Sequence, residues 1–132
     1  MGNSYNHTIK NLLIYQKSLD IFELSRRIAA YITDDKDVIS MYRSGSRTDN
    51  YADNLVMNAF RLVPKIAETE NQENAKDKLH YAKSLRRYID ILYKNCTQLE
   101  NSRIQGQDFV RMLRKELVKL SKIHRRYVNS LL

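Results

Sequence analysis

Apolar residues in this chain recur at intervals of three and four, and those intervals mark out four amphipathic segments. In the last, Val110, Leu113, Leu117, Leu120, His124, Tyr127 and Leu131 follow 3-4-3-4-3-4 spacing and fall on one stripe of a helix. The segment before it keeps the same rhythm through Ala82, Leu85, Ile89, Leu92, Cys96 and Leu99. An earlier one carries two neighbouring stripes, Leu55, Ala59, Leu62 and Ile66 beside Val56, Phe60, Val63 and Ala67, which is wider than one core face requires. The first draws on Ile9, Leu12, Leu13, Leu19, Phe22, Ile28, Ala29 and Ile32. Helices are therefore predicted over about 8–32, 48–69, 74–98 and 107–131 of a single domain spanning residues 1–132. Period-two alternation persists nowhere, and three Gly with one Pro leave little material for the turns of a β protein.

The segments between these stripes are polar. "TDDKD" ends the first helix, with Asp34, Asp35 and Asp37 as turn and cap residues. "VISMYRSGSRTDN" is the main irregular connection, centred on Ser44, Gly45 and Ser46. "TDN" supplies a cap for the second helix, inside which Pro64 predicts a kink. "ETENQEN" and "ENSRIQGQD" are short, the latter with Gly106 as breaker and Asp108 as cap. Short connections between long helices force antiparallel neighbours. The expected architecture is all-α, an antiparallel up-down four-helix bundle. The breadth of the second helix's apolar arc suits either a central helix of a compact monomer or contact with another copy, with Val56, Phe60 and Val63 as the interface candidates.

Charge then separates the two halves. Residues 1–75 hold nine Lys/Arg against ten Asp/Glu, and residues 76–132 hold fourteen against five, so the second part carries +9 and the first −1 of the +8 formal charge. Opposite the seam of the fourth helix stand Arg111, Arg114, Lys115, Lys119, Lys122, Arg125 and Arg126, and the third helix adds Lys83, Arg87 and Lys94. The i,i+4 pairs Arg111–Lys115, Lys115–Lys119 and Lys122–Arg126 repel one another. A solvated helix ordinarily mixes its signs, so a face this uniform points to an anionic partner. Tyr81, Tyr88 and Tyr93 lie among the third helix's cations and are candidates for base stacking as well as for ordinary bundle-edge packing.

Catalytic and metal-binding patterns are missing. His7, His80 and His124 are too scattered for a zinc signature, Cys96 has no second cysteine beside it, and no Glu-x-x-His repeats as a di-iron bundle needs. No paired carboxylates project from a seam, and no serine or cysteine has a base at motif spacing. His124 and Cys96 read as packing residues. Catalytic residues, cofactor and metal are accordingly expected to be none, and the protein to be no enzyme. A single cysteine fits a reducing compartment. No apolar run reaches the roughly 18 to 20 residues of a membrane span, and "MGNSYNHTIK" lacks both a signal-peptide core and the Ser or Thr of a myristoylation signal, Asn6 standing there instead. The expectation is a cytoplasmic protein with no membrane attachment.

The stretches "LLIYQKSLDIFELSRRI", "LVMNAFRLVPKIAETEN" with Pro64 and Ile66-Ala67-Glu68, and "LRRYIDILYKNCTQL" followed by the basic last helix resemble the small four-helix-bundle proteins of intervening sequences in bacterial 23S ribosomal RNA genes. That superfamily includes the accessory variability protein of diversity-generating retroelements. The resemblance covers roughly residues 9–130. Two features depart from the family pattern: "TDDKDVISMYRSGSRT" stands where members often have a Phe-Pro turn, and Thr69 stands near a common Gly. The resemblance implies a non-enzymatic bundle that assembles as a ring-like homopentamer with a basic surface. In the retroelement branch it implies partnership with a reverse transcriptase and its template RNA. Two readings of function follow. One is a nucleic-acid-binding accessory protein whose basic face contacts the phosphates of RNA or DNA without reading sequence. The other is a protein–protein scaffold whose basic face docks an acidic partner.

Overall fold

The computed structural model describes residues 9–34 and 47–132, which form four long helices and, among those residues, no strand. They are α1 (Leu13–Asp34), α2 (Arg47–Glu70), α3 (Ala75–Glu100) and α4 (Gln107–Ser130). Helix α1 packs on α2 and α4, and α3 packs on α2 and α4, so the four enclose one core. The expected connection around Ser44, Gly45 and Ser46, with Asp35 and Asp37, lies outside the described residues, as does His7.

Every helix turns a 3-4 seam to that core. On α2 it is Ala52, Leu55, Ala59, Leu62, Ile66 and Thr69, on α3 Ala82 to Leu99 as the spacing predicts, and on α4 Val110, Leu113, Leu117, Leu120 and His124. Helix α1 departs from the expected stripe. Its seam is Ile14, Ser18, Ile21, Ser25, Ile28 and Ile32, whereas Leu13 and Leu19 face outward. The two serines hold heptad positions and close their hydroxyls on the carbonyls of Ile14 and Ile21, at 2.8 and 2.7 Å, which lets a polar residue sit at zero cost in unpaired groups. Burial of a Leu or Ile side chain stabilises a fold by roughly 1.5–3 kcal/mol, and the core contains a full turn-by-turn ladder of them.

The helix ends show what sequence left open. A helix was expected from Thr8, but Ile9 and Lys10 form a separate helical turn, broken at Asn11 and Leu12 before α1 begins. Ile9 and Ile14 are both buried; five residues apart on one helix they would point about 140° from each other, and the break lets both face inward. "TDN" lies within the first turns of α2, which starts at Arg47. Asn74 caps α3 by accepting bonds from the amides of Lys76 and Asp77. Asp108 is not the cap of α4. Gly106 takes that position at φ +85°, the left-handed region that favours glycine, and a Cβ there would stand 3.0 Å from the ring of Tyr31. Pro64 sits exposed inside the continuous α2, on a side where water can take the bond its missing N–H leaves unmade.

Polar contacts fasten the seams between helices. Asn58 donates to the buried Asn95 at 2.8 Å and Lys78 pairs with Glu70 at 2.6 Å, joining α2 to α3. Lys17 reaches Glu116 at 2.6 Å to join α1 to α4. Between α3 and α4, His124 meets the Ala82 carbonyl at 2.8 Å, Tyr93 meets Ser121 at 3.1 Å, and Arg114 forks onto Glu100 with both contacts at 2.6 Å. Partners later on α3 are earlier on α4.

Candidate nucleic-acid interface

The face expected to be cationic sits on the outer sides of α3 and α4, because their seams consume the apolar residues and leave the long basic side chains pointing away from the core. Lys83, Arg87 and Lys94 on α3 are exposed, as are Arg111, Lys115, Lys119, Lys122, Arg125 and Arg126 on α4. They are not equivalent. Arg111 is held by Asp108 at 2.6 Å and Lys119 by Glu116 at 3.3 Å. Among the described residues, no carboxylate lies within ion-pair distance of Lys83, Arg87, Lys94, Lys115, Lys122, Arg125 or Arg126.

Arg114, expected among the phosphate contacts, has a different position. It is half-buried, bonded through two nitrogens to Glu100 and through one also to Thr97, with its guanidinium 5.8 Å from the Tyr93 ring centroid. The hydrogen bond and charge of Arg114 hold the Glu100 carboxyl below its ordinary pKa against the opposing effect of burial, and raise Arg114 in turn. Such a fork fixes the register of two helices. On the other flank, Lys17 lowers the pKa of Glu116 in the same manner, helped by Lys119. Both glutamates are thus engaged at helix seams, and of the outer face's cations only Lys119 shares one of them, Glu116.

The stacking candidates are largely internal. Tyr88 and Tyr93 pack their rings against the core, Tyr93 with its hydroxyl on Ser121, and Tyr81 is half-buried beside His80. The face therefore offers charge without displayed aromatic platforms. His124 and Cys96 are core residues. Burial pushes the His124 imidazole below its usual pKa and the Cys96 thiol up to about 11, so the thiol stays protonated and unreactive near neutrality. Among the described residues no three His, Cys, Asp or Glu side chains gather as a metal site, and no helix is long and apolar enough to cross a membrane.

The second exposed feature lies on the other side, between α1 and α2. Phe60 is 58% exposed, its ring 5.7 Å from that of Phe22, over which Arg26 also lies. Met57 and Leu19 are exposed as well, Val56 and Val63 are half-buried, and Val56 and Met57 border a shallow depression with Arg26, Ala29, Ala30 and Asp53. Part of the breadth of the α2 stripe is thereby explained within the bundle, since Phe60 turns toward α1. The rest remains on the surface.

Two residues of the site region were not legible from the sequence. Arg86 pairs with Asp90 at 2.9 Å at the α3–α4 groove, and Asn95 is buried with hydrogen bonds to Asn58 and Gln98. The i,i+4 spacing of Arg86 and Asp90 is the signal that could have found the first; a polar residue next to a seam position gives no such signal for the second. No family model matches this chain, and neither a curated protein nor a solved structure matches it.

Proposed function

We propose that this chain is a non-enzymatic nucleic-acid-binding accessory protein that grips phosphate backbones with the outer faces of α3 and α4. The observation that carries the reading is the set of seven exposed cations, Lys83, Arg87, Lys94, Lys115, Lys122, Arg125 and Arg126, with no carboxylate partner among the described residues. Cations left unpaired at this density repel each other, and an external polyanion relieves that repulsion while releasing its own counterions. The sequence resemblance to the ribosomal intervening-sequence proteins and to the retroelement accessory protein supports the same role, with a reverse transcriptase and its template RNA as the partners in the latter case. A cytoplasmic setting accords with it.

The reversed order of contacts between α3 and α4 and the brief connections at 71–74 and 101–106 support an antiparallel up-down bundle. The exposed Phe60, with Val56 and Val63 beside it, supports assembly of copies through the α1–α2 face, for which the resemblance gives a ring-like homopentamer. Phe60→Lys should then reduce the mass seen by light scattering to that of a smaller species with helicity kept.

The test of binding is a variant in which Lys115, Lys122 and Arg126 are replaced by Glu. It should lose affinity for a short DNA or RNA duplex and keep its far-UV circular dichroism; unchanged affinity would sink the assignment. The packed state of Tyr88 and Tyr93 favours a second reading, in which the charged face docks an acidic protein. Nucleic acid co-purifying with the protein, seen as excess absorbance at 260 nm, separates the two.

A further inference from the structure

Three of the basic residues line a concavity between α3 and α4. Lys83 and Arg86 from α3 and Arg125 from α4 border a cleft of about 230 Å³ whose remaining walls are Ser121, His124, Val128 and Asn129. The cleft opens broadly to solvent, so a phosphoryl group can seat in it while the rest of its ligand lies outside. Three basic side chains line it, although most of its exposed wall is apolar. Arg86 uses its Nε on Asp90 and keeps its two terminal nitrogens, while Lys83 and Arg125 have no carboxylate partner among the described residues. The His124 Nε2 is already taken by the Ala82 carbonyl, and the Ser121 hydroxyl is engaged with that of Tyr93, which leaves the three cations as the charged groups able to meet a ligand. The last turn of α4 supplies Val128 and Asn129 to the cleft and its C-terminal field opposes an anion there, so Lys83 and Arg86 from α3 and Arg125 from α4 must outweigh it.

We propose that the Lys83–Arg86–Arg125 cleft is an end-phosphate pocket, which takes the terminal phosphoryl group of a nucleic-acid strand or a nucleotide. The inference rests on the phosphate-binding reading of the α3–α4 face and assigns one point on it a distinct ligand. An internal phosphodiester carries one charge and is flanked on both sides by sugar. A terminal phosphate has about −1.5 to −2 charges at neutral pH and a free end, matching three converging cations that can donate charge-assisted hydrogen bonds.

The experiment compares one short DNA duplex bearing 5′-phosphates, 3′-phosphates or only hydroxyl ends, titrated against the full chain at fixed salt. A phosphorylated form should bind roughly tenfold tighter than the hydroxyl form, on the scale of one or two added charge-assisted bonds. Lys83→Ala with Arg125→Ala, both exposed positions, should erase that preference. Lys115→Ala with Lys122→Ala should weaken all three duplexes alike and preserve it. Adenosine monophosphate perturbing the Ser121 and Asn129 amide resonances as strongly as the phosphorylated duplex would identify free nucleotide as the source, and no such perturbation would identify the strand end. Three duplexes bound with equal affinity overturn the pocket while leaving backbone binding intact; a chain that binds none of them overturns the broader reading instead.

Discussion

If the α3–α4 face binds by phosphate contact, the salt dependence of binding counts its cations. The seven proposed contacts, Lys83, Arg87, Lys94, Lys115, Lys122, Arg125 and Arg126, lack a carboxylate partner among the described residues, and each contact to duplex DNA contributes a slope of about −0.9 in log K against log salt. Full engagement sets a limit near −6, and engagement of half of them still gives about −3. Raising salt from about 50 to about 200 mM should accordingly weaken binding between roughly 60-fold and several thousand-fold. Replacing Lys115 and Lys122 by Ala removes two exposed charges and should make the slope shallower by about 1.8. Arg114→Ala should change it far less, because that guanidinium is forked onto Glu100. The assay is fluorescence anisotropy of a labelled duplex at several salt concentrations, with the folded fraction checked by circular dichroism. An affinity independent of salt, or an Arg114 variant that flattens the slope as much as the double lysine variant, would refute the assignment of charges.

Other consequences concern the scaffold. His124 is buried with its pKa held below the ordinary 6.5, so the unfolded chain takes up a proton first as pH falls; stability should drop below about pH 6.5 and level off under the folded pKa. His124→Gln should flatten thermal melting between pH 7.5 and 5.5. Glu100, depressed by Arg114 from the ordinary 4.5, contributes stability above that value that is lost as pH falls through the folded pKa, so Glu100→Gln should flatten only the more acidic limb. Leu117→Ala empties a fully buried site and should cost about 3 kcal/mol in urea unfolding, within the usual 2–5; a loss below about 1 would mean that the core collapses to fill it. Gly106→Ala meets both the φ of +85° and the Tyr31 ring, and should destabilise by about 1 kcal/mol or more, a cost that Tyr31→Ala relieves only in part.

How far the fold could be read from sequence depended on what occupied the seam. On α3 and α4 the 3-4 positions are apolar almost without exception, so the stripe and the buried residues coincide. On α1 two of the six seam positions are Ser18 and Ser25, and the spacing became visible only once their hydroxyls were seen closed on the preceding turn. The exposed Leu13 and Leu19 then supplied a false alternative. The cations were legible as a face because periodicity alone separates seam from surface, but their division into free and engaged groups was not. Arg114 and Lys115 are adjacent and alike in sequence; Glu100, fourteen residues before Arg114, decides between them. The convergence of Lys83, Arg86 and Arg125 likewise depends on the relative height of two helices, which no single helix pattern contains.

The placement of acidic residues explains how a bundle tolerates so lopsided a charge. In residues 76–132 there are five, Asp77, Asp90, Glu100, Asp108 and Glu116. Glu100 and Glu116 sit at seams between helices, each with a basic partner at 2.6 Å. Asp77 and Asp108 stand in the first turns of α3 and α4, where a negative charge favours the helix dipole, and Asp90 holds Arg86. Each therefore acts where it orders the scaffold. None stands against Lys115, Lys122 or Arg126, where it would only lower the surface potential. Exposed ion pairs contribute little to stability, commonly 0–1 kcal/mol each, so adding carboxylates to that face would have strengthened the bundle slightly and weakened its attraction for an anion throughout. The distribution accords with the proposed role of that surface in holding an anion.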